Sequence, residues 1–330
     1  VGEAFAGHPY PGEVGPLECV RIMTGAPIPQ GADTVVMQEV VSTLAEGILL
    51  DHGQIPGQHV RKAGEDIIEG SIALQSGVQL GPAHLGVIAS LGLDKVKVSR
   101  PLRVAFFSTG DELCPPSQAL GAGQIYDSNR YSLAGLLRSI GVELIDLGIV
   151  EDNRSQLRQT LLDAASQADA VITSGGVSVG EADYIKSLLD ELGQVDIWRV
   201  AMKPGKPLTF GQLQGSWFFG LPGNPVSVMV TFMQFVRPAL QKLMGMQPQR
   251  ALQVQLPLLT TLKKAAGRAE YQRGILRQDE SGRWAVESTG TQSSGVLSSM
   301  SQANCFIVLP AGSTGAEYGD LVDVEPFSGC

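Results

Sequence analysis

The string Thr173-Ser174-Gly175-Gly176-Val177-Ser178-Val179-Gly180-Glu181-Ala182-Asp183-Tyr184 follows the apolar run Ala170 to Ile172 and precedes a helical pattern. A strand that ends in glycines and opens a helix presents bare backbone N–H groups to an anion. The same string holds Gly176-Val177-Ser178-Val179-Gly180, which fits the G-x-S-x-G turn that exposes a nucleophilic serine in hydrolases. The histidines separate these two chemistries. A hydrolase of that type needs an acid and then a His after the Ser, whereas His8, His52, His59 and His84 all precede it. Ser178 therefore lacks a downstream base. The four histidines also lack zinc-ligand spacing, and neither a Walker A string nor G-x-G-x-x-G occurs.

Three further polar strings carry chemistry: Ser108-Thr109-Gly110-Asp111-Glu112, Lys203-Pro204-Gly205-Lys206-Pro207 and Leu221-Pro222-Gly223-Asn224-Pro225. Each has a plain structural use as a strand exit, an exposed turn or a strand-to-helix turn with Pro225 at the first helical position. Two prolines also stiffen the Lys203–Lys206 turn and aim its ammonium groups. Together the strings supply acids, Glu112, Asp152, Glu181 and Asp183, and cations, Lys203, Lys206 and Arg199. Carboxylates facing cations across a glycine-lined cleft suit a phosphorylated ligand held with Mg²⁺, which takes one or two carboxylates plus phosphate oxygens. Such a site works by positioning and charge neutralisation. The residues alone point to an enzyme that handles a nucleotide or another phosphate ligand.

Elements must bring these strings together. From Leu102, apolar strands alternate with amphipathic helices: Arg103 to Ser108, Asn129 to Ile140, Val142 to Ile149, Ser155 to Ala168 and Ala170 to Thr173. That pattern predicts a mostly parallel sheet covered on both faces, with ligands at the carboxyl ends of its strands. The segment continues through Ile197 to Met202 and Trp217 to Gly220 and ends in a helix from Pro225 to Met244. Residues 1–70 read as a small β domain dense in turns, 71–101 as a connecting segment with a helix from Pro82, and 250–330 as a second β domain. The fold class expected is α/β, a central three-layer α/β/α domain over 102–249 flanked by an N-terminal β domain and a C-terminal β-barrel-like domain.

Composition bounds the partners. Glycine makes up 40 of 330 residues, about 12% against a usual value of about 7%, as expected of turns and anion loops. A net charge of −9 argues against nucleic acid, which demands a basic surface. Cys19, Cys114, Cys305 and Cys330 form no C-x-x-C pair, so reduced thiols in the cytoplasm are expected. The longest apolar stretch is broken by Gln234, Arg237 and Gln241 and predicts a buried helix rather than a membrane span. Val1 opens no signal-peptide pattern, and the chain reads as truncated at its start.

Six strings in order carry a resemblance: Ile22-Met23-Thr24-Gly25-Ala26, Arg61-Lys62-Ala63-Gly64-Glu65-Asp66, Ser108 to Leu113, Ile125-Tyr126-Asp127-Ser128-Asn129, Ser174 to Asp183 and Leu221 to Pro225. As a set, spanning nearly all 330 residues, they resemble the molybdopterin molybdenumtransferase family, the MoeA-type molybdenum insertases related to the gephyrin E domain. The resemblance implies insertion of molybdate into adenylyl-molybdopterin, with Mg²⁺-dependent release of AMP. It implies functional acids at Glu112, Asp152 and Asp183, with Glu112 and Asp183 at the metal, and a catalytic cation at Lys203. Substrate contacts would come from Ser108, Thr109, Gly110, Asp127, Asn129, Ser174, Gly175, Gly176, Ser178, Arg199 and Lys206. Pro222, Gly223, Asn224 and Pro225 would shape the cleft wall.

A homodimer is implied as well, with Thr24, Arg61 and Asp66 reaching the cleft from the second subunit. Molybdopterin adenylyltransferase and other cofactor-biosynthesis proteins are the protein partners it allows. The family's N-terminal helical segment and its Asp-Asn-Ser-Ala-Met-Asp-Gly-Tyr-Ala motif do not occur here, so the expectation is ligand binding without most of the insertion activity. Two readings stay beside the insertase: a molybdopterin adenylyltransferase, which shares the central domain, and a non-catalytic gephyrin-like scaffold.

Overall fold

The computed structural model describes residues 1–50, 53–175, 184–247 and 250–327. The chain forms two compact units, Val1–Gln75 and Ser76–Cys330. In the first, Gly2–Ala4 runs parallel to Val20–Ile22, and Val41–Leu44 pairs antiparallel with Gly47–Leu50. Leu44, Ile48, Leu49 and Leu50 of that hairpin are about half exposed, whereas Ala4 and Val14 are buried. Backbone hydrogen bonds carry much of the order: Phe5 and His8 exchange a pair, and the Val14 N–H donates to Gln30 O.

The second unit opens with helix α1 (Pro82–Ser90), whose Pro82 sits where the missing N–H costs nothing. Of the apolar residues on and just after it, Ile88 is buried while Leu85 and Leu91 are exposed. There follow β1 (Arg103–Thr109), α2 (Ser128–Ser139), β2 (Glu143–Val150), α3 (Arg154–Gln167), β3 (Ala170–Ser174), α4 (Tyr184–Leu192), β4 (Gly193–Arg199), β5 (Met202–Lys203), β6 (Pro207–Leu213) and β7 (Ser216–Leu221). A long helix comes next, α5 (Pro225–Thr231) running through a π-helical turn, Phe232–Val236, into α6 (Arg237–Leu243).

Six of these strands form one sheet in the order β4-β6-β7-β3-β1-β2. The pairs β7/β3, β3/β1 and β1/β2 are parallel, while β6 runs against both of its neighbours. Side chains on a strand alternate between faces, and the alternation is complete in β1. Val104 and Phe106 join a core with Leu133 and Leu137 of α2 and Val226 of the long helix, and Ala105 and Phe107 join another with Leu157 of α3 and Leu188 of α4. This is the expected three-layer α/β/α arrangement. The reversal at β6 depends on a two-residue turn, Gln214 and Gly215, both at positive φ, the geometry that a tight hairpin requires.

The C-terminal strands are β8 (Val254–Pro257), β9 (Ala269–Gln278), β10 (Trp284–Ser288), β11 (Cys305–Leu309) and β12 (Leu321–Pro326), with α7 (Ser298–Gln302) before β11. Their order is β5-β9-β11-β12-β8, and β10 pairs with the far half of β9. Leu258, just past β8, bridges Val286 of β10, so the sheet curls into a barrel-like ring. This sheet is not walled off at residue 250. Met300 and Phe306 belong to the same core as Phe106 and Phe232, and β5, from the central segment, pairs with β9. Among the described residues no helix is long and apolar enough to cross a membrane.

Candidate functional site

Strands β1, β2, β3 and β7 run parallel, so their carboxyl ends share one edge of the sheet. A cleft of about 700 Å³ opens there. Thr109, Gly110 and Glu112 line it after β1, Asp152 after β2, Gly175 after β3, and Pro222, Gly223 and Asn224 after β7. Residues 202–207, with Ser227, Arg268 and residues 292–294, complete the wall. Most of the expected strings therefore meet in one place.

The backbone explains the close meeting. Gly175 has φ +92°, and a Cβ there would collide with the Thr109 carbonyl oxygen, so only glycine lets the ends of β1 and β3 come this near. Asn129 ties the rim together, since its Nδ2 donates to Ser174 Oγ at 2.8 Å and to the Gly223 carbonyl at 2.7 Å. Asp127 accepts from the Arg130 N–H and caps α2. Asn129, Ser174 and Asp127, expected as ligand contacts, thus spend part of their bonding capacity on the frame. Among the described residues Ser108 Oγ, Thr109 Oγ1, Asn129 Oδ1 and Asp127 Oδ2 are buried without a partner; of these residues only Thr109 lines the cleft.

One rim is acidic. Asp111 Oδ1 accepts from the Asp152 N–H at 3.4 Å and joins the two loops. Partial burial, and then the neighbouring Asp111 and Glu112 charges, hold the Asp152 carboxyl above the usual carboxylate range. Carboxylates that repel one another in this way favour a cation between them. A second recess of about 360 Å³, lined by Asp111, Glu151 and Asn153 among others, shares Gly110 and Asp152 with the cleft.

The opposite rim is basic: Lys203, Lys206 and Arg268. Lys203 Nζ lies 3.2 Å from Glu270 Oε1, whereas among the described residues Lys206 and Arg268 make no ion pair. Behind this rim lies Arg273, only 1% exposed. Its Nη2 donates to the Ser293 carbonyl at 3.0 Å and to that of Thr291, and its Nε donates to Ser299 Oγ. Its backbone N–H donates to Gln292 Oε1. A buried guanidinium thus fastens the 291–294 loop whose residues 292–294 face the cleft, and burial lowers its pKa to about 10. The Ser294 carbonyl in turn accepts the Val226 N–H at the start of the long helix.

Several expected residues fall elsewhere. Arg199 ends β4 opposite Pro207 and is not among the residues lining the cleft. Thr24, Arg61 and Asp66 are exposed residues of the first unit. Gly176, Ser178 and Asp183, with Glu181, lie outside the described residues. Sequence reasoning missed Arg268, Gln292, Ser293 and Ser294, although Thr289-Gly290-Thr291-Gln292-Ser293-Ser294-Gly295 is as polar and glycine-bounded as the strings it chose. Among the described residues no three metal-ligating side chains cluster. Glu112 and Asp152 in one cleft fit a cation that takes its remaining ligands from a phosphorylated substrate.

Residues 2–92 match the MoeA N-terminal region (domain I and II), residues 105–242 the family described as "Probable molybdopterin binding domain", and residues 255–327 the MoeA C-terminal region (domain IV). The chain is 46% identical over 330 residues to a molybdopterin molybdenumtransferase of Haemophilus influenzae, covering 99% of this chain and 81% of that one. It is 40% identical over 319 residues to another from Nostoc sp., covering 95% and 73%. Against gephyrin of Dictyostelium discoideum it is 38% identical over 340 residues, covering 92% of this chain and 47% of that one. The crystal structure of the molybdopterin biosynthesis MoeA protein from Pyrococcus horikoshii superposes with a TM-score of 0.83 at 29% identity, covering 99% and 80%.

Proposed function

Since the chain belongs to the molybdopterin molybdenumtransferase family, transferases that insert molybdenum in molybdenum cofactor biosynthesis, we propose that the cleft at the strand ends of the second unit is where insertion occurs. Molybdate and adenylyl-molybdopterin are its substrates, and AMP is the leaving product. One observation carries this reading: an acidic rim and a basic rim face a single cleft.

Lys206 and Arg268, free of ion pairs among the described residues, bind the anionic groups, and Lys203 holds one of them at a fixed point. The Thr109 hydroxyl, buried in the cleft wall without a partner among the described residues, is a further contact for a polar substrate atom. Glu112 and Asp152 would hold Mg²⁺, which supplies charge neutralisation at phosphate oxygens as AMP departs. The resemblance adds Asp183 to that set. It also assigns Thr24, Arg61 and Asp66 to the cleft of a second copy in a homodimer, and the cytoplasm as the place of action. Ser178 is read as a hydrogen-bonding contact and not as a nucleophile.

The test follows AMP release and cofactor formation from adenylyl-molybdopterin and molybdate by the full-length protein. Mg²⁺ removal by a chelator should abolish both, and Glu112→Gln should lower the rate about 100-fold, the usual cost of losing one electrostatic contributor. ATP-dependent adenylylation of molybdopterin by this protein alone would transfer the assignment to the adenylyltransferase reading. Unaltered molybdoenzyme activity in cells carrying Glu112→Gln and Lys203→Ala would favour a scaffold.

A further inference from the structure

The carboxylate behind Lys203 is not on the central sheet. Strand β5 pairs parallel with β9 in the register Met202↔Ala269 and Lys203↔Glu270, and the Ala269 N–H donates to the Ala201 carbonyl at 2.9 Å. Lys203 and Glu270, 67 residues apart, are thereby fixed side by side, with Nζ 3.2 Å from Oε1. The two ends of the pair differ in surroundings: the Glu270 side chain is 5% exposed and that of Lys203 is 46% exposed. Gln272 Nε2 donates to the other oxygen, Oε2, at 2.9 Å.

A carboxylate withdrawn from water is tolerated only when its oxygens are paired. Here both oxygens are used, one by a neutral amide on the same strand and the other by a cation at the cleft. The buried end cannot move without breaking the β9 framework, so the exposed end takes its position from it. Lys206 and Arg268 have no such anchor among the described residues. Among the described residues the rim thus contains two kinds of cation, one tethered and two untethered.

We infer that Glu270 is a positioning residue for the transfer reaction: it holds the Lys203 ammonium at one point of the cleft, so that the C-terminal sheet sets the geometry of a site whose acids come from the central sheet. The inference rests on the reading that Lys203 touches the anionic substrate. It separates orientation from attraction. Neutralising Glu270 leaves the number of cations on the rim unchanged and removes a nearby negative charge, so attraction for an anion does not fall. What is lost is the fixed placement of one ammonium, and placement enters the rate of the bound complex.

The experiment compares Glu270→Gln, Lys203→Ala and the double variant in the full-length protein, with adenylyl-molybdopterin and molybdate. The expected result for Glu270→Gln is a kcat lowered about tenfold with a KM for adenylyl-molybdopterin that does not rise, a split that general loosening of the fold would not give. In the Lys203→Ala background the same change should cost nothing further, because Glu270 acts through Lys203. An unchanged kcat, or an equal loss in both backgrounds, overturns the inference. If Lys203→Ala is itself fully active, the site reading falls and this inference with it; an inactive Lys203→Ala beside an unaltered Glu270→Gln overturns this inference alone. A measurement on the unsubstituted protein guards against a variant that does not fold. Under limiting acetic anhydride, with sites mapped by mass spectrometry, Lys203 should react several-fold more slowly than Lys206, and equal or faster labelling of Lys203 overturns the tether.

Discussion

The acidic rim of the cleft, Glu112 and Asp152 with Asp111 bonded beside them, sits on loops that leave neighbouring parallel strands of one sheet, whereas the basic rim, Lys203, Lys206 and Arg268, is assembled where two sheets meet. The acids are therefore placed by local strand exits. The cations sit on or next to the paired strands β5 and β9, and the neighbouring cleft wall is a loop fastened through a buried arginine. Loops at strand ends are free to vary while the sheet stays intact, but the basic rim is part of what holds the second unit together. Changes on the two sides should accordingly trade stability and activity differently.

The largest effect should come from Arg273→Ala. It empties a fully buried position and leaves the Thr291 and Ser293 carbonyls without their donor, a loss of about 3 kcal/mol or more. Chemical denaturation measures it, and a midpoint within error of the parent would break the claim that the cleft wall behind the basic rim is structural. Gly175→Ala should come next at about 2 kcal/mol, because the new methyl meets a backbone oxygen at positive φ. Substrate binding should weaken with it as the ends of β1 and β3 part, and a titration with AMP reads that out.

Asp152→Asn tests the acidic side and should have the opposite sign in stability. In the folded chain this carboxyl keeps its proton to a higher pH than in the unfolded chain, owing to burial and to Asp111 and Glu112. The folded state therefore gains from low pH and loses as pH rises above the ordinary carboxylate range. At neutral pH the amide variant should melt no lower than the parent, with any gap closing below about pH 4, while molybdenum insertion falls by at least about tenfold. A variant that is both less stable and fully active would reverse the assignment.

The smallest effect belongs to the far edge of the same sheet, where Asp169 pairs with both Arg100 nitrogens and with the Arg103 N–H. Foremost the hydrogen bonds from Arg100 lower its pKa to about 2. Its stabilisation is present above the unfolded value near 4 and is lost as pH falls toward 2. Asp169→Asn should thus flatten the acid limb of a melting-temperature profile over that interval and leave insertion at pH 7 unchanged.

Much of the frame was legible in the residues. Arg103 to Ser108 and Ala170 to Thr173 were expected as buried strands and occur as Arg103–Thr109 and Ala170–Ser174, because continuous apolar runs admit few alternatives once helices flank them. The antiparallel β6 went unread, since Thr209, Gly211 and Gln212 dilute its apolar pattern and the Lys203–Pro207 turn masks its start. Strand β9 went unread for a different reason. Glu270, Gln272 and Arg273 look like a solvated surface, yet all three are buried. Polar residues at the interior are invisible to a rule that places polarity outside.

By itself the sequence determined the layered core, through the alternation of apolar residues that buries both faces of the central sheet, and it determined that acids and glycines crowd the ends of those strands. Only the tertiary structure decided what the charges do. Which lysine is tethered, which arginine is a buried brace and which is an exposed rim cation, and which carboxyl holds its proton all depend on partners brought from distant segments and on how much water remains around them. A residue's type gives its charge, whereas the work that charge performs is set by burial and by the distance to the next one.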